Sequence, residues 1–131
     1  MPEVEWRIYS KHTKSHSVHG NITISPIDND KFIDSIASCE GVLCGAGFET
    51  PSEALYLGKK LIVIPMRNQY EQQCNAMALR ELEIPVLEHL STKSVTKIRE
   101  LIDSDIPEPI HYPDETEELV AQIVRKEVEC V

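Results

Sequence analysis

The sequence predicts an α/β domain: a parallel sheet of about five strands with helices on both faces. Two observations lead to this class. First, two kinds of segment alternate along the chain. Short runs that are apolar or alternate apolar and polar residues are typical of strands, and runs whose apolar residues recur every three or four positions are typical of helices. The loops between them are short, as in sheets whose parallel strands are joined by right-handed crossovers.

Length and charge narrow the range of functions. The 131 residues suffice for one domain with a substantial core. The formal net charge is −9 and the 22 acidic residues are spread along the chain, so we expect no nucleic-acid partner, which would need a basic stripe. No apolar run is long enough to span a membrane and no secretion-signal pattern is present, which predicts a cytoplasmic protein.

The cysteines and histidines predict no metal site. The four cysteines lack zinc-type spacing, and three lie among apolar neighbours, which favours buried, reduced thiols: Cys39, Cys44, Cys74 and Cys130. Three histidines lie in a polar segment without helical periodicity: His12, His16 and His19. A solvated loop is favoured over a metal site there, because a closed set of ligands is missing.

The first third of the chain predicts three strands and a helix. Residues 4–9 alternate apolar and polar side chains, which indicates a strand with one solvated face. Residues 11–21 read as a loop, and residues 21–25 as a second strand that Pro26 stops. A helix follows the N-cap candidates at 28–30, and the apolar run 41–44 is the next strand.

The middle of the chain carries the clearest helix signals. Thr50-Pro-Ser-Glu53 has the pattern of a capping box with proline at the first helical position, and Gly58 suits the residue after the helix. Residues 61–64 predict a strand buried on both faces. Residues 71–82 predict a helix with Cys74, Met77, Ala78 and Leu82 facing inward.

The last third predicts one more strand and two helices. The strand covers residues 84–87, and a helix follows caps at 91–92. Asp114 is the expected cap of the final helix. Pro107, Pro109 and Pro113 predict a stiff tether before that helix. We therefore divide the chain into an α/β domain, 1–106, and a tether with a C-terminal helix, 107–131, that packs on the domain or leads away from it.

The turn Gly45-Ala-Gly47 is the best candidate for a binding site. Glycine lets the backbone come close to a ligand and adopt positive φ. The amides of Phe48, Glu49 and Thr50 would then face an anion such as a pyrophosphate at a helix N-terminus. The alternative is that Thr50 simply caps its helix.

Four further polar residues have both a binding and a structural interpretation. Glu53 either completes the capping box or accepts hydrogen bonds from the vicinal hydroxyls of a ribose. Glu71 and Gln72 either contact hydroxyls of a hexose or form a solvated first turn. Asn75 either braces the neighbouring loop or lies on the surface.

Taken together, these residues resemble the C-terminal, donor-binding domain of GT-B glycosyltransferases, a family that includes UDP-glycosyltransferases and peptidoglycan-precursor N-acetylglucosaminyltransferases. The family pattern is a glycine turn, Thr or Ser, Glu three residues on, Gly-Lys-Pro before an apolar strand and Pro, then a polar residue with Gln and later Asn-Ala. The matching positions, within residues 20–90, are Gly47, Thr50, Glu53, Gly58-Lys59, Ile64-Pro65, Glu71-Gln72 and Asn75-Ala76.

The resemblance implies a Rossmann-like fold and a set of residue roles. The backbone from Gly47 to Thr50 would hold the diphosphate of a nucleotide sugar, which the resemblance implies is a UDP sugar, and Glu53 would bind its ribose. Glu71 and Gln72 would contact the transferred sugar. Ile27, in the turn after the second strand, falls where the family reads the base through its backbone. No catalytic residue and no metal or other cofactor is implied in this half of the enzyme.

The chain departs from the family at three places. Gly45 stands where some members have histidine, and Lys60 replaces the proline of Gly-Lys-Pro. The first βα unit of the donor domain and the N-terminal acceptor domain are not found in these residues. We therefore expect a fragment or subunit that needs a partner domain or chain, self-associates through its open cleft and is inactive alone.

Two alternatives to a donor-binding glycosyltransferase part remain open at this stage. One is a non-catalytic interaction or regulatory module that reuses the fold. The other is part of a UDP-N-acetylglucosamine epimerase. Whether the chain is a fragment or a subunit of a glycosyltransferase, we expect it in the cytoplasm. It would be either free there or held at the inner membrane face by its partner domain.

Overall fold

The computed structural model describes residues 1–129, so Cys130 lies outside the described residues. Strands and helices mix along the chain, which confirms the α/β class. The elements are β1 Trp6–Tyr9, β2 Ser17–His19, β3 Ile22–Ser25, α1 Asn29–Ser38, β4 Gly41–Gly45, α2 Glu49–Tyr56, β5 Lys60–Ile64, α3 Tyr70–Glu81, α4 Ser94–Asp103 and α5 Thr116–Glu129. None of the helices in residues 1–129 is long and apolar enough to cross a membrane.

The five strands form two sheets, so the expected single parallel sheet is not present in the described residues. One sheet has the order β1-β3-β2 and the other pairs β4 with β5. β1 and β3 run parallel, as do β4 and β5, but β2 runs antiparallel to β3. Residues 84–87 contribute only a bridge between Val63 and Val86.

The strand β2 corrects the prediction of a loop over residues 11–21. Gly20 has a φ of 62°, which lets the chain reverse tightly between β2 and β3. Val18 pairs with Thr23 in the resulting hairpin. Three residues of β2 are too few to show a period in sequence, and polar neighbours hid the strand.

Helix α1 connects the two sheets along the chain and contacts β1. The Asp28 side chain accepts a hydrogen bond from the Lys31 amide at 3.2 Å, confirming the predicted cap. The Tyr9 hydroxyl, late in β1, donates to the Lys31 carbonyl at 2.9 Å, while Arg7, earlier in β1, donates to Ser38 Oγ at 3.0 Å. The helix therefore runs antiparallel to β1.

The core is centred on β5, as its continuous apolar sequence predicts. Leu61, Ile62 and Val63 are at most 1% exposed. Four further residues from the helices and from the turn after β4 complete the cluster around Leu61 and Val63: Ala46, Ala54, Ala76 and Leu79. Burial of this strand on both faces is thus confirmed.

The capping box predicted at the start of α2 is wrong. The helix begins at Glu49, and its N-cap is Phe48, whose backbone is already helical and whose side chain makes no capping hydrogen bond. Thr50 and Pro51 therefore lie inside the first turn, where proline is tolerated because its missing N–H has no partner there. Ser52 Oγ donates instead to the Phe48 carbonyl at 2.7 Å.

Helix α2 ends as predicted, with Gly58 as the residue that follows its C-terminus. Gly58 has a φ of 62°. The amides of Gly58 and Lys59 donate to the carbonyls of Leu55 and Ala54, the two bonds of a Schellman motif. A Cβ atom at Gly58 would lie 2.9 Å from the Pro107 carbonyl oxygen. The start of the Pro-rich segment, predicted as an unpacked tether, thus packs against this helix end.

The inward face predicted for α3 is also wrong. Its buried residues are Ala76 and Leu79, whereas Met77 is 63% exposed and Cys74 is exposed. The rotation of the helix is set by polar side chains on its buried side, described below.

In α5, Asp114 Oδ1 accepts from the Thr116 amide at 3.1 Å, which confirms the predicted cap.

Candidate functional site

The turn between β4 and α2 contains a fully buried residue, Ala46, and a glycine, Gly47, with free space beside its backbone. Ala46 is fully buried, and Phe48 is 73% exposed. No heavy atom lies within 4 Å of the position that a Cβ of Gly47 would take. The structure places Gly20 and Gly58, not Gly47, at positive φ. What glycine supplies at position 47 is therefore open space beside the backbone, and the positive φ expected from the sequence is absent.

The N-terminus of α2 presents two amides without an internal partner. The Ser52 amide already donates to the Phe48 carbonyl at 3.2 Å, and Pro51 has no amide hydrogen. The amides of Glu49 and Thr50 are the donors left in the first turn, and no side chain caps them. Two N–H groups at the positive end of a helix dipole favour an anion at this place.

Side chains at the start of α3 fasten this turn to the next loop. Asn75 Nδ2 donates to the Ala46 carbonyl at 3.1 Å. Gln72 Oε1 accepts from the Met66 amide at 2.9 Å, in the loop after β5. Of the two interpretations offered for Asn75, the structure thus supports the bracing one.

Gln72 lies beside position 45. A Cβ placed on Gly45 would lie 3.6 Å from Gln72 Oε1, which is ordinary contact distance. The space at position 45 would therefore admit a Cβ atom.

The three remaining predicted side chains are exposed, and they lie apart from the hydrogen bonds just described. Glu53 and Glu71 are exposed, and neither side chain makes a hydrogen bond or ion pair with residues 1–125, whose side chains the structure describes. Ile27 is 58% exposed and follows β3, in the other sheet. The structure thus joins Asn75 to Ala46 and Gln72 to Met66 by hydrogen bonds, and leaves Ile27, Glu53 and Glu71 outside these contacts.

Sequence reasoning did not predict a groove in the loop that precedes α3. Arg67, Asn68, Gln69, Tyr70 and Gln73 line a shallow open groove there. Asn68 has a φ of 63°, a conformation that asparagine tolerates better than most residues. Asparagine three residues before the predicted helix 71–82 was the available signal for this tight bend. The groove gives the site one cationic side chain, Arg67.

The chemistry of the described residues argues against a thiolate nucleophile at this edge of the sheet. Cys44, at the end of β4, is the nearest thiol along the chain to the open turn. Burial raises the pKa of Cys44 to about 12, so its thiol stays protonated at neutral pH. Among residues 1–125, whose side chains the structure describes, no group of three or more His, Cys, Asp or Glu could hold a metal ion.

Strands and helices mix in this domain, and the comparison with protein families shows which class it belongs to. Residues 1–103 match the family model described as glycosyl transferase family 1. Because the match spans most of the chain, the protein belongs to this family. No curated protein and no solved structure matches the chain.

Proposed function

We propose that the chain binds the donor, a UDP-linked sugar, for a hexosyltransferase. The observation that carries the proposal is the uncapped N-terminus of α2 beside Gly47. Its two amide donors, Glu49 and Thr50, lie next to open space at the carboxyl end of β4. In open α/β sheets, ligands bind outside the carboxyl ends of the strands, and phosphates favour helix N-termini.

The proposed contribution to the reaction is electrostatic. Negative charge grows on the diphosphate as the sugar leaves, and preorganised N–H groups stabilise that charge. The Thr50 hydroxyl adds a third donor in the same turn. The base that deprotonates the acceptor would come from a partner domain or subunit, so the chain alone would bind a donor weakly and turn over nothing.

The other predicted residues take different roles. Glu53, exposed and unpaired among the described residues, is available to accept two hydrogen bonds from a ribose, and Glu71 is available to a sugar hydroxyl. Gln72 has its oxygen engaged by Met66, so its Nε2 is the atom left for a ligand. Asn75 would act on the ligand through Ala46, as a positioning residue. Ile27 remains the proposed contact for the base.

One feature of the site weakens binding. Glu49 places a carboxylate in the first turn of α2, where it complements the helix dipole but repels a diphosphate. Arg67 offers the opposite charge from the neighbouring loop. The balance fits a site that binds a free nucleotide weakly.

A calorimetric titration tests the proposal. The purified chain would be titrated with UDP, UDP-glucose, UDP-N-acetylglucosamine and GDP, and its folding checked by circular dichroism. We expect uridine nucleotides to bind more tightly than GDP, and Glu53→Ala to weaken UDP binding at least tenfold. Glu100→Ala, which removes an exposed carboxylate from α4, is the matched control and should bind as the natural chain does. Absence of any nucleotide binding by the folded chain would refute the proposal and favour a non-catalytic module.

A further inference from the structure

We propose that a cavity at the amino end of β5 binds a small apolar monocarboxylate, whose carboxylate pairs with the ammonium of Lys60. The cavity has a volume of about 240 Å³. β4 and β5 run parallel, and Lys60 is the first residue of β5, whereas Gly47 follows the carboxyl end of β4. The cavity therefore lies at the opposite end of these strands from the candidate nucleotide site, and the proposal does not depend on that site.

Lys60 is a buried cation with hydrogen-bond donors to spare. The residue is only 6% exposed, which is rare for a lysine whose charge is not paired. Its Nζ donates to the Ile102 carbonyl at 2.6 Å, in the last turn of α4. No carboxylate of residues 1–125, whose side chains the structure describes, forms an ion pair with it. A lysine ammonium has three N–H donors, so two are left without an acceptor in that part of the chain.

The ammonium of Lys60 lies at the wall of the cavity. Lys60 lines the cavity, and so do Leu101 and Ser104, which precede and follow Ile102 at the end of α4. The carbonyl that accepts from the ammonium therefore lies between two cavity-lining residues of one helical turn. A carboxylate in the cavity would lie beside the two remaining N–H groups and could accept from both.

The other walls of the cavity suit an apolar group. Leu55, Leu61, Leu82 and Ile84 line it from α2, from β5 and from the end of α3 onward. Ile110 closes a further side, where its amide donates to the Leu55 carbonyl at 2.9 Å. Since an apolar cavity of about 150 Å³ holds a benzene molecule, this one has room for about eight to ten heavy atoms. Hexanoate and benzoate have this size, a single carboxylate and an apolar body.

Acidic residues of the cavity favour a singly charged ligand. Glu83, Asp105 and Glu108 line the cavity and are exposed. Their carboxylates repel an anion, and the repulsion grows with the charge of that anion. Phosphate and nucleotides are therefore disfavoured, whereas a monocarboxylate meets the least repulsion on its way to the buried ammonium. A cationic ligand is disfavoured by Lys60 itself, because a buried charge is screened little by solvent.

NMR titrations of the backbone amides test the proposal, with hexanoate as the probe. We expect saturable binding to the natural chain with a Kd in the millimolar range, because the ligand is small. The amide signals that shift should belong to residues at the cavity, such as Leu61, Ile84 and Ile102, and not to Gly47. Hexanol has the same apolar tail without the charge and should bind about tenfold more weakly. Inorganic phosphate should not compete with hexanoate.

Two lysine variants assign the binding to the buried ammonium. Lys60→Met keeps a long side chain without the charge, and should weaken hexanoate binding about tenfold while leaving hexanol binding unchanged. Lys97→Met removes an exposed ammonium from α4 and is the matched control, which should bind hexanoate as the natural chain does. Should Lys60→Met fail to fold, Leu82→Trp narrows the cavity while keeping Lys60, and should abolish hexanoate binding.

Three results would overturn the proposal. One is equal affinity of the natural chain for hexanoate and hexanol, and another is unchanged hexanoate binding by folded Lys60→Met or by Leu82→Trp. The third is the absence of saturable shifts at the cavity, which would leave water as the partner of the two remaining donors of Lys60.

Discussion

The Asn75 side-chain amide donates a hydrogen bond to the carbonyl of Ala46 at 3.1 Å. This bond joins the buried side of α3 to the turn that follows β4. Ala46 is fully buried, so its carbonyl has little access to water as an alternative partner. The position of the open backbone at Gly47 thus depends on a residue almost 30 positions later in the chain, as the sequence separation of this bond shows.

Replacing Asn75 should therefore destabilise the fold and weaken nucleotide binding together. Asn75→Ala removes the donor, at an expected cost of about 1–3 kcal/mol in unfolding free energy. Asn75→Asp keeps the shape but sets a carboxylate against a carbonyl oxygen, so we expect a larger loss at pH 7 than for alanine. Urea denaturation measures both variants.

Gln73→Ala provides the matched control for Asn75. Its amide donates to the Met66 carbonyl from an exposed position, at 3.2 Å, so its loss should change the unfolding free energy by less than about 0.5 kcal/mol. Equal effects of the Asn75 and Gln73 substitutions would contradict the bracing role.

Substituting two glycines that share the same φ distinguishes the cost of backbone strain from the cost of steric crowding. Gly20 and Gly58 both have a φ of 62°, but a Cβ at Gly20 has no atom within 4 Å, whereas one at Gly58 meets Pro107 and Pro109 at 2.9–3.1 Å. Alanine at either position should cost about 1–2 kcal/mol for the left-handed conformation. Gly58→Ala should cost more, because the 107–110 segment must also move. Thermal unfolding of the two variants tests this, and equal shifts in Tm would argue against the packing of that segment.

The parts of the fold predicted from sequence are those with local signals. The apolar run 61–64 identified the buried strand, and Asp28, Gly58 and Asp114 identified helix ends, because caps and β-branched runs act within a few residues. The sequence also singled out the turn after β4 and the start of α3, which the structure joins through Asn75 and Ala46; the binding roles of these residues stay predictions.

The errors arose where distant contacts decide the structure. Phe48 adopts helical backbone angles, so α2 begins before the Thr50 capping box could form. Gln72 and Asn75 turn polar atoms inward to bind backbone groups of the loop and turn, and this rotates Cys74 and Met77 outward. The apolar stripe alone could not reveal an inward polar face, nor the division of the strands into two sheets.

The Cys44 thiol should make stability depend on pH in the alkaline range. Burial raises the pKa of Cys44 from 9.0 to about 12 in the folded chain. The unfolded chain therefore loses this proton first, and the contribution present below pH 9 is lost between pH 9 and about 12. Relative to Cys44→Ala, the natural chain should lose up to about 1.4 kcal/mol of unfolding free energy per pH unit there. Parallel pH profiles of the two chains would contradict the assignment.

The Glu49 carboxylate should oppose the proposed ligand. If a diphosphate binds the amides of α2, Glu49→Gln removes a nearby like charge and should tighten UDP binding several-fold, most clearly at low salt. Glu81→Gln, an exposed acid at the far end of α3, should have little effect. A Glu49→Gln affinity equal to that of the natural chain would place the anion elsewhere.

The central claim is that Glu53 and the α2 N-terminus bind one nucleotide, and a thermodynamic cycle tests it most directly. UDP and its 2′-deoxy analogue would be titrated into the natural chain and into Glu53→Gln by calorimetry. We predict that the natural chain prefers UDP by at least fivefold and that Glu53→Gln binds the two ligands equally but more weakly. An unchanged preference for UDP in Glu53→Gln would contradict ribose binding by Glu53, and no binding of UDP to the natural folded chain would contradict the whole account.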